Sequence, residues 1–163
     1  MKTLLLLRHA KASRDEPDTP DHDRPLKSRG KEDAKRLGRR MHAANLAPTL
    51  IVSSTARRAL KTASRVAKRL DYSRDLELTD RLYLSSPQEH LVVARALPDT
   101  EDRVLFVGHN PGLSQFLSEL TDMATELSTC EMAQLELPID RWCDLSGSDG
   151  AKLVKLWQPE ESD

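Results

Sequence analysis

Thr3-Leu4-Leu5-Leu6-Leu7-Arg8-His9-Ala10-Lys11-Ala12 is the stretch on which the fold turns. Its consecutive leucines leave no polar position for a solvent-facing side, and a short apolar run that does not alternate reads as a strand buried on both faces. The run stops at Arg8-His9, so charged and titratable groups stand directly after the strand. Two later segments repeat the design. Thr49 to Val52 is a second buried strand leading into Ser53 to Arg58, and Arg103 to Val107 is a third leading into Gly108-His109-Asn110-Pro111.

Helical patterns fill the intervals. Ala34, Leu37, Met41 and Ala44 recur at three- and four-residue spacing behind Ser28, read as an N-cap. Ala56, Ala59, Leu60, Ala63, Ala67 and Leu70 form a second stripe, and Pro87 opens a third helix that runs to about Leu97. Asn110 and Pro111 read as N-cap and first residue of a fourth, carrying Leu113, Phe116, Leu117 and Leu120. Leu76 to Leu78, Cys130 to Leu137 and Lys152 to Trp157 add strands, and Ser13 to Arg24 is a polar loop. Strands alternating with helices predict an α/β fold: a three-layer α/β/α sandwich on a mainly parallel sheet, with an antiparallel edge from the final pair.

The chain has 163 residues, 38% hydrophobic and 31% charged, which suits one globular domain over 1–163. A net charge of -1 gives no global field for nucleic acid, and Leu4 to Leu7 is far too short to span a bilayer. The basic residues that follow this run leave no signal-peptide cleavage site, so the expectation is a cytoplasmic protein. Cys130 and Cys143 lack metal-ligand spacing and read as free thiols.

In open α/β sheets ligands bind beyond the carboxyl ends of the parallel strands. Arg8-His9, Ser53 to Arg58 and Gly108-His109-Asn110 all fall there, so the sequence predicts that they converge. Taken singly, each has an ordinary explanation: a loop histidine, a surface ion pair, the solvated face of a basic helix, a turn with a cap. Taken together they suit a phosphoryl group, because guanidinium forks match its oxygens in pairs and a helix N-terminus favours an anion. A neutral histidine among such cations can itself attack phosphorus.

At these positions the chain resembles the histidine phosphatase, or phosphoglycerate mutase-like, superfamily, and more narrowly its small SixA-type phosphohistidine phosphatases. Arg8-His9-Ala10 stands where the family has Arg-His-Gly. Arg24-Pro25-Leu26 with Arg29-Gly30, then Ser54, Arg58, Ala59 and Thr62, then Gly108-His109-Asn110 match its later motifs. The resemblance implies that His9 accepts the phosphoryl group and that Arg8, Arg58 and His109 bind its oxygens without a metal or other cofactor. Arg24 is a further phosphate contact on this reading, or else a loop arginine pairing with Asp21 or Asp23. Arg57 competes with Arg58, and family spacing alone favours Arg58. Asp80 corresponds to the general acid of ester-cleaving relatives, or else is a cap or loop acid.

Three functions follow as expectations. The first is removal of phosphate from a histidine-phosphorylated phosphotransfer protein. The second is hydrolysis of small or protein phosphate esters with Asp80 as acid, and the third is phosphate binding without turnover. A metal hydrolase is disfavoured, because the arginines place positive charge where a cation would sit and no ligand spacing is present. His22, His42 and His90 are read as surface residues, Lys11 as a solvated lysine, and Trp142 and Trp157 as packing residues.

Overall fold

The leucines of the opening run feed two different layers. Strand β1 spans Lys2–Arg8, and Leu4 and Leu6 enter one buried cluster while Leu5 and Leu7 enter another. This division explains the absence of alternation: both faces of the strand are covered. The computed structural model describes residues 1–147 and 150–160. Ser148, Asp149 and residues 161–163, the last of which end the expected 1–163 span, lie outside the described residues.

In chain order the remaining elements are α1 (Ser28–Ala43), β2 (Leu50–Ser54), α2 (Arg57–Arg69), β3 (Glu77–Thr79), α3 (Pro87–Arg95), β4 (Arg103–Gly108), α4 (Gly112–Thr121), β5 (Met132–Leu137) and β6 (Lys152–Trp157), with short 3-10 turns at Asp21–Asp23, Asp80–Leu82 and Trp142–Asp144. They form one six-stranded sheet in the order β3-β2-β4-β1-β5-β6. Strands β1 to β4 are mutually parallel, β5 joins β1 antiparallel, and β6 joins β5 antiparallel.

Helices α1 and α2 pack on one face through Ala34, Leu37, Met41, Ala59, Ala63 and Val66. Helices α3 and α4 cover the other through Ala94, Leu113, Phe116 and Leu117, beside the fully buried Trp142. The fold is therefore the expected α/β/α arrangement. Register places its chemistry: Arg8 lies opposite Gly108, Ser53 opposite Val107, and Thr79 opposite Ser54. The carboxyl ends of four parallel strands thus share one edge.

Local details differ from expectation at four points. Lys27, not Ser28, is the N-cap of α1, and no side chain caps it. The entry is fixed by backbone instead: Lys27 N–H donates to the Lys11 carbonyl and Ser13 N–H to that of Pro25. Gly30 permits this approach, because a Cβ there would lie 2.3 Å from the Lys11 oxygen. Pro111 is the N-cap of α4, although Asn110, one residue earlier, still accepts from Ser114 N–H at 3.2 Å. Strand β5 starts at Met132 rather than Cys130, because Cys130 adopts φ 58° and gives its N–H to the Arg8 and His9 carbonyls. His90 is fully buried rather than exposed, since it shares the inward stripe of α3 with Pro87 and Ala94.

Both cysteines are free. Among the described residues no helix is long and apolar enough to cross a membrane.

Candidate active site

His9 leaves β1 with its N–H bonded to the Gly108 carbonyl at 3.0 Å. The next N–H, that of Ala10, donates to Thr62 Oγ1 at 3.0 Å, and the Thr62 hydroxyl donates to the Arg58 carbonyl at 2.7 Å. One threonine on α2 therefore fixes the backbone behind both His9 and Arg58.

The His9 ring is nearly buried, at 8% exposure, and its Nδ1 lies 2.7 Å from the Ala10 carbonyl. A carbonyl only accepts, so Nδ1 carries the proton and the Nε2 lone pair is free. Nε2 has no hydrogen-bond partner among the described residues and stays within reach of solvent. Burial lowers the His9 pKa to about 4; the Ala10 carbonyl opposes the shift, and the charges of Arg58, Arg8 and Arg24 reinforce it.

His109, at the end of β4, is 2% exposed, with its ring centroid 5.1 Å from that of His9. Its Nε2 is 2.8 Å from Ser54 Oγ, at the end of β2. Burial, then the neighbouring His9 and Arg58, lower its pKa to about 3, with Asp21 opposing. Both imidazoles are neutral at pH 7.

Three guanidinium groups surround this pair. Arg58 is buried, in the first turn of α2, and its neighbour Arg57 is exposed; the inward and outward faces of the helix separate the two residues in favour of Arg58. Arg8 is half-buried, with Nη1 on the Leu127 carbonyl. Arg24 bonds to Asp21 Oδ1 at 3.1 Å and to the Ser13 carbonyl at 3.2 Å, yet its charge also reaches His9. The two readings of Arg24 are compatible: pairing with Asp21 is what holds it beside the histidine.

Asp80 is less central. It is exposed at the rim, where its Oδ1 accepts from the Thr55 hydroxyl, which in turn meets His22 Nε2 at 2.8 Å. It has no hydrogen bond to His9, His109 or any of the three arginines.

Sequence reasoning named Asp21 only as a partner for Arg24 and placed neither Tyr83 nor His22 at the site. Asp21 takes Arg58 Nη2 on Oδ2 at 3.0 Å and Arg58 Nη1 on its carbonyl at 2.7 Å. Tyr83 donates to the same Oδ2 at 2.6 Å and stands edge-on to His109 at 5.4 Å. His22, assigned to the surface, is half-buried with its ring 4.8 Å from that of Tyr83. The three-residue spacing of Asp21 and Arg24 was the available signal for Asp21; none marked Tyr83.

Behind the pocket, His90 Nδ1 bonds to the Ser86 carbonyl at 2.7 Å while its ring packs on Phe116. Gly112 lets the Ser85 carbonyl approach to 1.8 Å from where a Cβ would stand, which brings the 83–86 segment onto the start of α4. Among the described residues, no group of three or more His, Cys, Asp or Glu is arranged to hold a metal ion. What the site offers is a free imidazole lone pair inside a field of three guanidinium groups and one carboxylate, an environment for an anion and for attack on it.

Residues 4–83 match the family model of the histidine phosphatase superfamily, branch 1. An uncharacterized chloroplastic protein of Arabidopsis thaliana is 30% identical over 173 residues, covering 99% of this chain and 79% of that protein. Two solved structures titled putative phosphohistidine phosphatase SixA superpose with TM-score 0.82. That from Agrobacterium tumefaciens is 25% identical and covers 97% of this chain and 98% of its own. That from Nakamurella multipartitia is 28% identical and covers 97% and 96%.

Proposed function

Because this chain belongs to the histidine phosphatase superfamily, on its SixA-type branch, and is thereby a phosphatase, we propose that it removes phosphate from phosphohistidine on a partner protein, with His9 as the nucleophile. The observation that carries the reading is the state of His9: a neutral ring, pinned through Nδ1 to Ala10, with Nε2 open beside three guanidinium groups.

In the first step His9 Nε2 attacks phosphorus and the bond to the substrate breaks. Arg8, Arg58 and Arg24 take the equatorial oxygens, whose charge the arginines stabilise as it redistributes in the transition state. His109, neutral and held by Ser54, supplies a further polar contact without adding charge. In the second step water displaces His9 and releases inorganic phosphate.

The substrate assignment follows from leaving-group chemistry. Imidazole, with a conjugate-acid pKa near 6.5, departs readily once protonated, whereas an alkoxide needs a proton donor in the transition state. The rim position of Asp80 supports the first leaving group better than the second. The ester reading keeps one discriminating test. Sharp slowing of alkyl ester hydrolysis by Asp80→Asn, with aryl phosphates less affected, would establish Asp80 as an acid.

The direct experiment is brief exposure to a phosphohistidine-bearing phosphotransfer protein labelled on phosphorus. Acid-labile, base-stable label is expected on His9 and not in His9→Ala, with loss of label from the donor. Turnover of a sugar or nucleotide phosphate with no action on the phosphohistidine protein would reject the substrate.

A further inference from the structure

We infer that Asp21 determines specificity: its carboxylate accepts the ring N–H of the departing histidine and so selects phosphohistidine over phosphate esters. This rests on the phosphohistidine reading above and extends it to the group that leaves.

Asp21 lies on the 3-10 turn of the loop over the pocket, against the same guanidinium group that faces His9 and His109. Its two oxygens are unequally used. Oδ2 takes both Arg58 and Tyr83, whereas Oδ1 takes Arg24 alone. An ionised carboxylate has about four acceptor positions, so Oδ1 retains capacity for another donor. Its side chain is 45% exposed, so that capacity is open to an incoming group rather than sealed in the core. Asp80 makes no hydrogen bond or ion pair with Arg8, Arg24 or Arg58 and accepts from Thr55 instead.

Ionisation is secured by the same contacts. Burial alone would raise the Asp21 pKa, but the hydrogen bonds from Tyr83 and Arg58 and the adjacent Arg58 charge override it and hold the carboxyl well below the usual carboxylate range. Asp21 is therefore an acceptor at any working pH and has no proton to give. It can assist only a leaving group that arrives with its own donor.

Phosphohistidine protonated on its second ring nitrogen is such a group. The His9 Nε2 lone pair forms the new N–P bond, the substrate N–P bond breaks, and its electron pair stays on the departing nitrogen. The proton already on the other nitrogen makes the product a neutral imidazole, so no external acid is consumed. A carboxylate facing that N–H favours the protonated, reactive form of the substrate. An alkyl ester gains nothing from it, because its departing oxygen needs a proton that Asp21 does not hold.

The test measures kcat/KM of the wild type, Asp21→Asn, Asp21→Ser and Asp21→Glu on a phosphohistidine-bearing phosphotransfer protein and on p-nitrophenyl phosphate. Losing a charged acceptor is expected to lower the ratio of the two values about tenfold or more in Asp21→Asn and Asp21→Ser. Asp21→Glu is expected to keep the ratio within about threefold, since the charge remains. Equal losses on both substrates, with the ratio unchanged, would overturn the inference and leave Asp21 as a support for Arg58. A wild type that cleaves the aryl phosphate but not phosphohistidine would instead overturn the substrate reading of the preceding subsection.

Discussion

The His9 and His109 rings lie 5.1 Å apart, tilted by 53°, and neither makes a hydrogen bond to the other. Each is held through one ring nitrogen by a different neighbour, His9 Nδ1 by the Ala10 carbonyl and His109 Nε2 by Ser54 Oγ. The pair can therefore stay neutral together, which is what an attacking nitrogen among arginines requires.

The first expected outcome concerns pH. Protonating His9 removes the lone pair, so activity should fall as the pH drops through about 4. Stability has the same sign over a wider window. Unfolded histidine titrates near 6.5, above the folded values of about 4 for His9 and about 3 for His109, so the unfolded chain binds more protons between them. Stability should decline as the pH falls from about 6.5 toward about 3, read as a lower urea midpoint at constant slope.

Arg58 and Arg57 should separate by more than their adjacency suggests. Arg58→Ala is expected to lower kcat/KM for phosphorylated substrate by roughly a hundredfold or more, through loss of a buried charged donor. Arg57→Ala, on the exposed face, is expected to stay within about twofold. Steady-state kinetics on the two variants checks both.

Thr62→Val retains shape and deletes a hydroxyl. The Ala10 N–H then loses its acceptor in a buried setting, which should cost about 1–3 kcal/mol in denaturant unfolding. Because that N–H lies next to His9, kcat should fall as well, and an unfolding curve identical to wild type would remove Thr62 from its assigned place.

Gly112→Ala should be the most damaging of the single-methyl insertions. The new carbon would lie 1.8 Å from the Ser85 carbonyl oxygen, which is backbone and must move. A loss of at least about 2 kcal/mol is expected. Gly147→Ala, where nothing among the described residues lies within 4 Å, should change stability by less than about 0.5 kcal/mol.

The sheet and its helices were legible because their signals are local. Leu4 to Leu7 announce a strand covered on both sides, and the stripe from Ala59 to Ala67 announces the buried face of α2. The strand-end rule then carried Arg8, Arg58 and His109 to one edge, where Arg8 ends β1, His109 follows β4 and Arg58 stands in the first turn of the helix after β2. What was not legible depends on contacts across long chain separations. Asp21 and Tyr83 meet through a hydroxyl and a carboxylate 62 positions apart, and no periodicity encodes that. His90 was missed for another reason. An imidazole can replace an apolar residue on an inward stripe when a carbonyl one turn back accepts its N–H, as Ser86 does.

Strand β1 has β4 on one side and β5 on the other, and the His9 amide continues the ladder to Gly108. Hydrogen exchange at that amide should accordingly proceed only through opening of the whole sheet. The nitrogen proposed to attack is thus mounted on the part of the molecule that yields last. Any adjustment to the proposed phosphorylated substrate falls to the 13–26 segment, which carries Asp21 and Arg24 and belongs to no strand of the sheet.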